Sequence, residues 1–217
     1  MRRLLPALAA ALALAPAGTR GDRRAAEDHF LHGRYVEAAR AFAAVAAKGD
    51  RHARLGAGRG ALRVGEHAQA EAAARQLAQG GGALSVDGQA LLGEVLLATG
   101  RLADARRELE AVVAKKPRAL RARLLLTRLQ RETGQAAAVK AGCEAFIDDY
   151  NARRIDRRSG LELHYVAAAA HLCENFSDAK DTWLEALGLA PDLFEANVEL
   201  GFLFLEKYNS ADAARSF

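Results

Sequence analysis

The stretch VDGQALLGEVLLATGRLADARRELEAVVAKKPRA, residues 86–119, decides how the rest of the chain is read. It divides at Gly100 into two helical patterns. In the first, Leu92, Gly93 and Leu96 share a face; in the second, Leu102, Ala105, Leu109, Val112 and Val113 do. These are the i, i+3, i+4, i+7 spacings of amphipathic helices. Gly100 supplies the positive φ that ends one helix and lets the next begin, and Pro117 stops further extension. Gly93 and Ala105 carry almost no side chain, so the pattern predicts that helices cross closely there. A hairpin of this kind has apolar surface on two sides, more than it buries alone. It needs neighbours.

Working outward, the neighbours are present. Small residues at places 8 and 20, a large apolar one at 24 and Pro at 32, here Gly93, Ala105, Leu109 and Pro117, resemble the tetratricopeptide (TPR) pattern. One period later Gly134 takes the place of Gly100. The hairpin 160–193 has Ala167, Ala179, Trp183, Ala186 and Pro191 in the same places. A sixth unit opens at Phe194 with Leu200 and Gly201 and reaches Ala213 and Phe217. Toward the N-terminus, Gly65 with Ala70, Ala74 and Leu77 marks a unit from about Arg51. Gly33 with Tyr35, Ala38, Phe42 and Val45 marks another from about Thr19. The resemblance implies an all-α fold: a right-handed α-α superhelix of five complete helical hairpins plus one truncated. It divides the chain into a leader (1–17), irregular N-terminal repeats (18–85) and a regular array (86–217). The array comprises 86–119, 120–159, 160–193 and a partial 194–217.

The leader reads differently. Met1-Arg2-Arg3 is a short basic start, Leu4 to Ala15 is an apolar run, and Ala15-Pro16-Ala17 offers small residues for a signal peptidase. The expectation is a secretory signal removed after about Ala17, which places the mature protein in the bacterial periplasm or cell envelope. A membrane anchor is the alternative, but a dozen residues span a bilayer poorly. No cysteine follows for lipid attachment.

Composition agrees with a helical array. About half of the 217 residues are apolar and only 6% aromatic, as suits helices packed through alanine. Arg2 and Arg3 carry two of the four surplus positive charges, and the remainder is too small to argue for nucleic acid. The N-terminal repeats are less regular: Leu55-Gly56-Ala57-Gly58-Arg59-Gly60 puts three glycines into a first helix. Each costs up to about 1 kcal/mol relative to alanine.

The chain lacks the motifs of common chemistries. There is no phosphate loop after a strand, no H-E-x-x-H, no G-x-S-x-G and no C-x-x-C. His29 and His32 are three apart but lack further ligands nearby; His164 and His171 stand two turns apart, about 10 Å, too far for one ion. No enzyme activity, metal or cofactor is expected. Trp183 reads as core. Cys143 and Cys173 fall at places 24 and 14 of antiparallel neighbours, and the standard register offsets them by about 9 Å. Two free thiols are therefore expected.

Repeat four departs from the pattern. Val139 stands where a smaller residue is usual, and IDDYNARRIDRRSG makes the joint about six residues longer than standard, with Arg153, Arg154, Arg157 and Arg158 in it. Either the second helix is extended or a loop projects.

What remains is surface shape. In solenoids of this kind the first helices line a concave groove where partners bind, and places 2, 5, 9 and 12 should face it. These give Arg20, Arg23, Leu55 and Arg59 early, then Arg121, Leu124, Arg128 and Arg131 in repeat four. Repeat five gives Leu161, His164, Ala168 and His171, and repeat six Glu195, Val198, Phe202 and Leu205. The groove candidates are Arg121, Leu124, Arg128, Arg131, His164, His171 and Phe202. A protein or peptide partner is expected, an acidic one being suited to the arginines. No nucleic acid is expected, and no stable membrane span once the leader is removed.

The function expected is an exported scaffold for protein–protein interaction. Two alternatives stand beside it: an envelope-assembly component, and the interaction arm of a longer protein. For the second, FIDDYN and the segment 196–217 resemble early repeats of long exported bacterial TPR proteins, some of which carry a C-terminal zinc-peptidase-like domain. The last unit presents Val198, Leu200, Phe202, Phe204 and Leu205 with only Ala213 and Phe217 to cover them. The expectation is a fragment of a longer array, with self-association through that open face as the alternative.

Overall fold

A computed structural model describes residues 17–207 and 209–217. The leader expectation falls almost wholly on residues outside this range. Among the described residues there are twelve helices and no strand. They run α1 (Ala17–Leu31), α2 (Tyr35–Ala46), α3 (Arg51–Arg63), α4 (His67–Gln79), α5 (Ala83–Ala98) and α6 (Leu102–Lys115). Then come α7 (Leu120–Glu132), α8 (Ala136–Asn151), α9 (Gly160–Leu172), α10 (Phe176–Leu189), α11 (Phe194–Glu206) and the short α12 (Ser210–Ser216). Paired in order they make six hairpins, with each second helix also packed on the next first helix.

One local device repeats at the hairpin turns. Gly33, Gly65, Gly100 and Gly134 have φ between 70° and 80°, and Glu174 takes the same place at 62°. After each, an N–H reaches back to the carbonyl five residues earlier: Arg34 to His29, Glu66 to Ala61, Arg101 to Leu96, Gln135 to Gln130, Asn175 to Ala170. That is the Schellman closure, which satisfies carbonyls left over at a helix end. The glycine pattern in the sequence is thus a record of left-handed turns.

The core runs along the array as successive clusters built mainly from small and aliphatic residues. Ala38, Phe42 and Val45 bury against Ala26 and Ala53; Leu77, Leu91, Val95 and Ala105 form the next layer. Trp183 is the largest side chain in the layer of α9–α11 and has no exposure. A Cβ placed on Gly93 would stand 2.7 Å from Leu109 of α6, so the expected close crossing is present. The glycines of α3 follow the same logic. A Cβ on Gly60 would meet the Ala39 backbone at 3.0 Å, and one on Gly56 the Phe42 ring at 2.5 Å. Gly56 and Gly60 thus let α2 approach closely, while a Cβ on Gly58 would meet Leu91 of α5 at 2.7 Å.

Repeat four answers the open question both ways: α8 is extended to Asn151, and an eight-residue joint, 152–159, then leads to α9. Ile155 anchors the joint in the core, while Arg157 reaches Glu185 and the Tyr150 ring. This joint corrects the expectation of two free thiols. Cys143 and Cys173 form a disulfide, with Cα atoms 6.0 Å apart. The six additional residues slide α9 along α8 by the offset that the standard register left between the two cysteines. Cys143, Ile147 and Tyr150 of α8 now line one cleft with Cys173, Ala170 and Val166.

At the far end, Phe217 lies over Gly201 and edge-on to Phe202, ring centroids 5.6 Å apart. Phe202, Leu205 and Phe217 stay exposed. Leu200 and Leu203 are buried.

Candidate functional site

The superhelix brings its first and sixth hairpins together. Tyr35, at the start of α2, meets Phe194, at the start of α11, edge to face with centroids 5.7 Å apart. The Tyr35 hydroxyl donates to Glu195 Oε1 at 3.4 Å, and Arg63 lies 3.7 Å from the same oxygen. Burial, then the Glu195 carboxylate, push the Tyr35 hydroxyl up to about 12. Gly33 leaves room for the Phe194 ring, which a Cβ there would approach to 2.7 Å. The concave groove therefore becomes a partly enclosed cavity of about 630 Å³.

Its walls come mostly from the odd-numbered helices, as expected for a solenoid, with Tyr35 and Phe42 added from α2. Apolar lining is supplied by Leu31, Leu55, Leu124, Leu125, Leu161 and Val198. Charge is supplied mostly as pairs. Arg121 donates to Glu94 Oε2 from Nε at 3.1 Å and Nη2 at 2.5 Å, and its Nη1 lies 3.5 Å from the Tyr165 hydroxyl. Arg128 donates to Glu199 Oε1 at 3.1 Å. Burial alone would raise Glu94; Arg121, with Arg63 and Arg59 behind it, outweighs that and holds the carboxyl below its ordinary value. A charge removed from water needs such a partner.

Four of the seven groove candidates line this cavity: Arg121, Leu124, Arg128 and His164. Three do not. Arg131 donates to the Leu172 carbonyl at 2.9 Å and lies 3.5 Å from Glu174. His171 bonds Glu206 at 2.9 Å and rests against Trp183 and Phe176. Phe202 packs with Phe217. The rise of the superhelix explains the split. The cavity crosses α3 along its whole length, α7 between Arg121 and Arg128, and α9 and α11 only in their first two turns. Places late in α7, α9 and α11 have climbed past it. Of the earlier candidates, Leu55 and Arg59 line it, whereas Arg23 is held by Asp50 at 3.0 Å. Glu94 is not among the candidates, although it stands at place 9 of repeat three, one of the places the rule points to the groove. Tyr35 with Phe194 carries no sequence signal.

His164 is buried at the cavity wall and accepts a hydrogen bond at Nδ1 from the Trp183 indole N–H, 3.2 Å away. Its ring proton is therefore on Nε2. Burial pushes His164 down from 6.5 to about 4; Glu199 opposes this, while Arg128, Arg121 and Arg63 add to it. Between these two values the unfolded chain takes up a proton that the folded chain refuses. The stabilisation is complete above about 6.5 and is lost as pH falls toward about 4. The total is on the order of 3 kcal/mol. Urea unfolding from pH 7 to 4.5 should show this slope, and His164→Gln, which can still accept from Trp183, should flatten it. An equal slope in both proteins would remove His164 as its source.

No family model matches the chain, and no curated protein sequence matches it. Solved structures do. A thermophilic TPR protein of Thermus thermophilus, TTC0263, superposes with a TM-score of 0.62 at 17% identity, covering 86% of this chain and 99% of that one. A chain of the APC/C hetero-tetramer Cut9–Hcn1 superposes with a TM-score of 0.57 at 14% identity, covering 91% of this chain and 38% of that one. At these identities the likeness shows the fold, which is the TPR-type α-α superhelix.

Proposed function

We propose that this TPR-type solenoid is an interaction scaffold that holds an extended segment of a partner protein in its closed groove. The observation that carries this reading is the cavity: about 630 Å³, open to solvent, with apolar walls interrupted by charged groups. That combination suits ligand burial with a few orienting polar points. The acidic-partner expectation is narrowed by the geometry, because Arg121 and Arg128 already have carboxylate partners.

Export to the periplasm or envelope is part of the proposal. Two features support it: the leader pattern at 1–17, and the Cys143–Cys173 disulfide, since such bonds persist in oxidising compartments. Edman sequencing of protein recovered from its own cells should start just after Ala17. A start at Met1 or Arg2 would remove export from the proposal.

Leu161 lines the cavity yet is half exposed, so Leu161→Arg can block the groove without emptying the core. Leu184, on the outer face of α10, is a matched control. Peptides selected from a display library on the wild-type chain should bind Leu161→Arg at least tenfold more weakly, and Leu184→Arg unchanged. Peptides that bind all three proteins alike would show that the groove is not the site.

A further inference from the structure

Four arginines line the cavity: Arg59, Arg63, Arg121 and Arg128. Three face a carboxylate, from Glu195, Glu94 and Glu199 in turn. Arg59 alone makes no ion pair among the described residues. Its Nε is sealed from solvent and has no hydrogen-bond partner. Burial, then the nearby Arg121 charge, weaken its hold on its proton. The remaining carboxylate on the wall, Glu27, lies 3.3 Å from Arg23. His164 already accepts from Trp183.

We infer that Arg59 is the anion-binding point of the cavity, and that the partner segment presents to it a single carboxylate, a Glu or Asp side chain flanked by apolar residues. This rests on the scaffold reading and names the chemistry of its ligand. The argument is one of polar satisfaction. A half-buried cation without a carboxylate partner is costly, so its removal should stabilise the fold when no ligand is present. The other three arginines of the wall are matched by carboxylates of the fold, so Arg59 is the one cavity arginine whose charge no described carboxylate meets. A segment with several charges would leave the others unpaired against Leu55, Leu124 and Leu161, which line the same space. One carboxylate on an apolar body matches the Arg59 charge and brings no second charge into the apolar wall. The planar guanidinium matches a carboxylate in geometry as well as charge.

The test uses three probes: a blocked pentapeptide with one Glu between leucines, the same peptide with Gln, and decanoate as a non-peptide carboxylate. Each is titrated into the wild-type chain, Arg59→Gln, Leu161→Arg and Arg158→Gln, the last a surface control. The Glu peptide should bind wild type and Arg158→Gln about tenfold or more tightly than the Gln peptide, because hydrogen bonds to charged groups are worth that much. Arg59→Gln should abolish the preference, and without ligand it should melt at a higher temperature than wild type. Equal binding of both peptides, weakened alike by Leu161→Arg, overturns the carboxylate inference while the scaffold reading stands. Arg59-dependent binding of decanoate alone overturns the partner-segment source. A lower melting temperature for Arg59→Gln overturns the inference by giving Arg59 a structural role, whatever the peptides do.

Discussion

Trp183→Ala is expected to lower the unfolding free energy by about 3–5 kcal/mol, the range for truncating a buried large aromatic. Trp183 is wholly buried among α8, α9, α10 and α11, in a layer with Phe146, Leu163, Leu200 and Leu203. Its removal opens a cavity between hairpins that are held mainly through their nearest neighbours. It also takes the indole donor from His164 Nδ1, at a site where water has little access. Trp183→Phe separates the two effects. It keeps most of the volume and leaves His164 without its donor, which costs about 1–3 kcal/mol. Urea unfolding followed by far-ultraviolet circular dichroism measures both. Domains are stable by only about 5–15 kcal/mol, so the alanine variant should have lost a large part of its margin. A loss under about 1 kcal/mol for Trp183→Ala would mean that the layer closes over the gap.

Reduction of the Cys143–Cys173 bond is expected to cost about 3–4 kcal/mol, from the loop entropy of a cross-link spanning 30 residues. The bond ties α8 to α9 across the long joint, where repeats four and five are otherwise joined by an eight-residue segment anchored at Ile155. Unfolding of the oxidised protein with and without reductant, and of the double variant Cys143→Ser with Cys173→Ser, should agree on this figure. Peptide mapping without reductant should recover the two cysteines in one linked fragment. Free thiols that label in the purified native protein would refute the pairing and the stabilisation together.

The hairpins themselves are a local matter, and local residues determined them. Gly33, Gly65, Gly100 and Gly134 occupy left-handed turns because φ near 70–80° strains any residue with a Cβ. The small residues Gly93 and Ala105 sit where helices pack closely, and at Gly93 the Leu109 side chain fills the room a Cβ would need. Such requirements act within a few residues or between adjacent helices, so they recur with the repeat period and are legible in the chain. The three glycines of α3 were legible as glycines only; that Phe42, Leu91 and Ala39 need the space was not.

Register and closure are different in kind. The six additional residues of repeat four could be counted in the chain, but their effect depends on which way the joint folds. Ile155 turns it into the core, and α9 slides until Cys173 faces Cys143. The cavity is further still from local control. Small rotations accumulate over five hairpins before Phe194 reaches Tyr35 and Gly33, and Glu195 is 160 residues from the hydroxyl it accepts from. That accumulated rise decides that Arg121, Leu124, Arg128 and His164 line the enclosed space while Arg131, His171 and Phe202 stand beyond it. It also decides which arginines find a carboxylate. Arg121 and Arg128 are arginines at groove places, as Arg59 is, and nothing in the chain ranks the three. Only the packed superhelix puts Glu94 and Glu199 within reach of the first two and leaves Arg59 without a carboxylate partner among the described residues, because pairing depends on distances between repeats that no single repeat encodes.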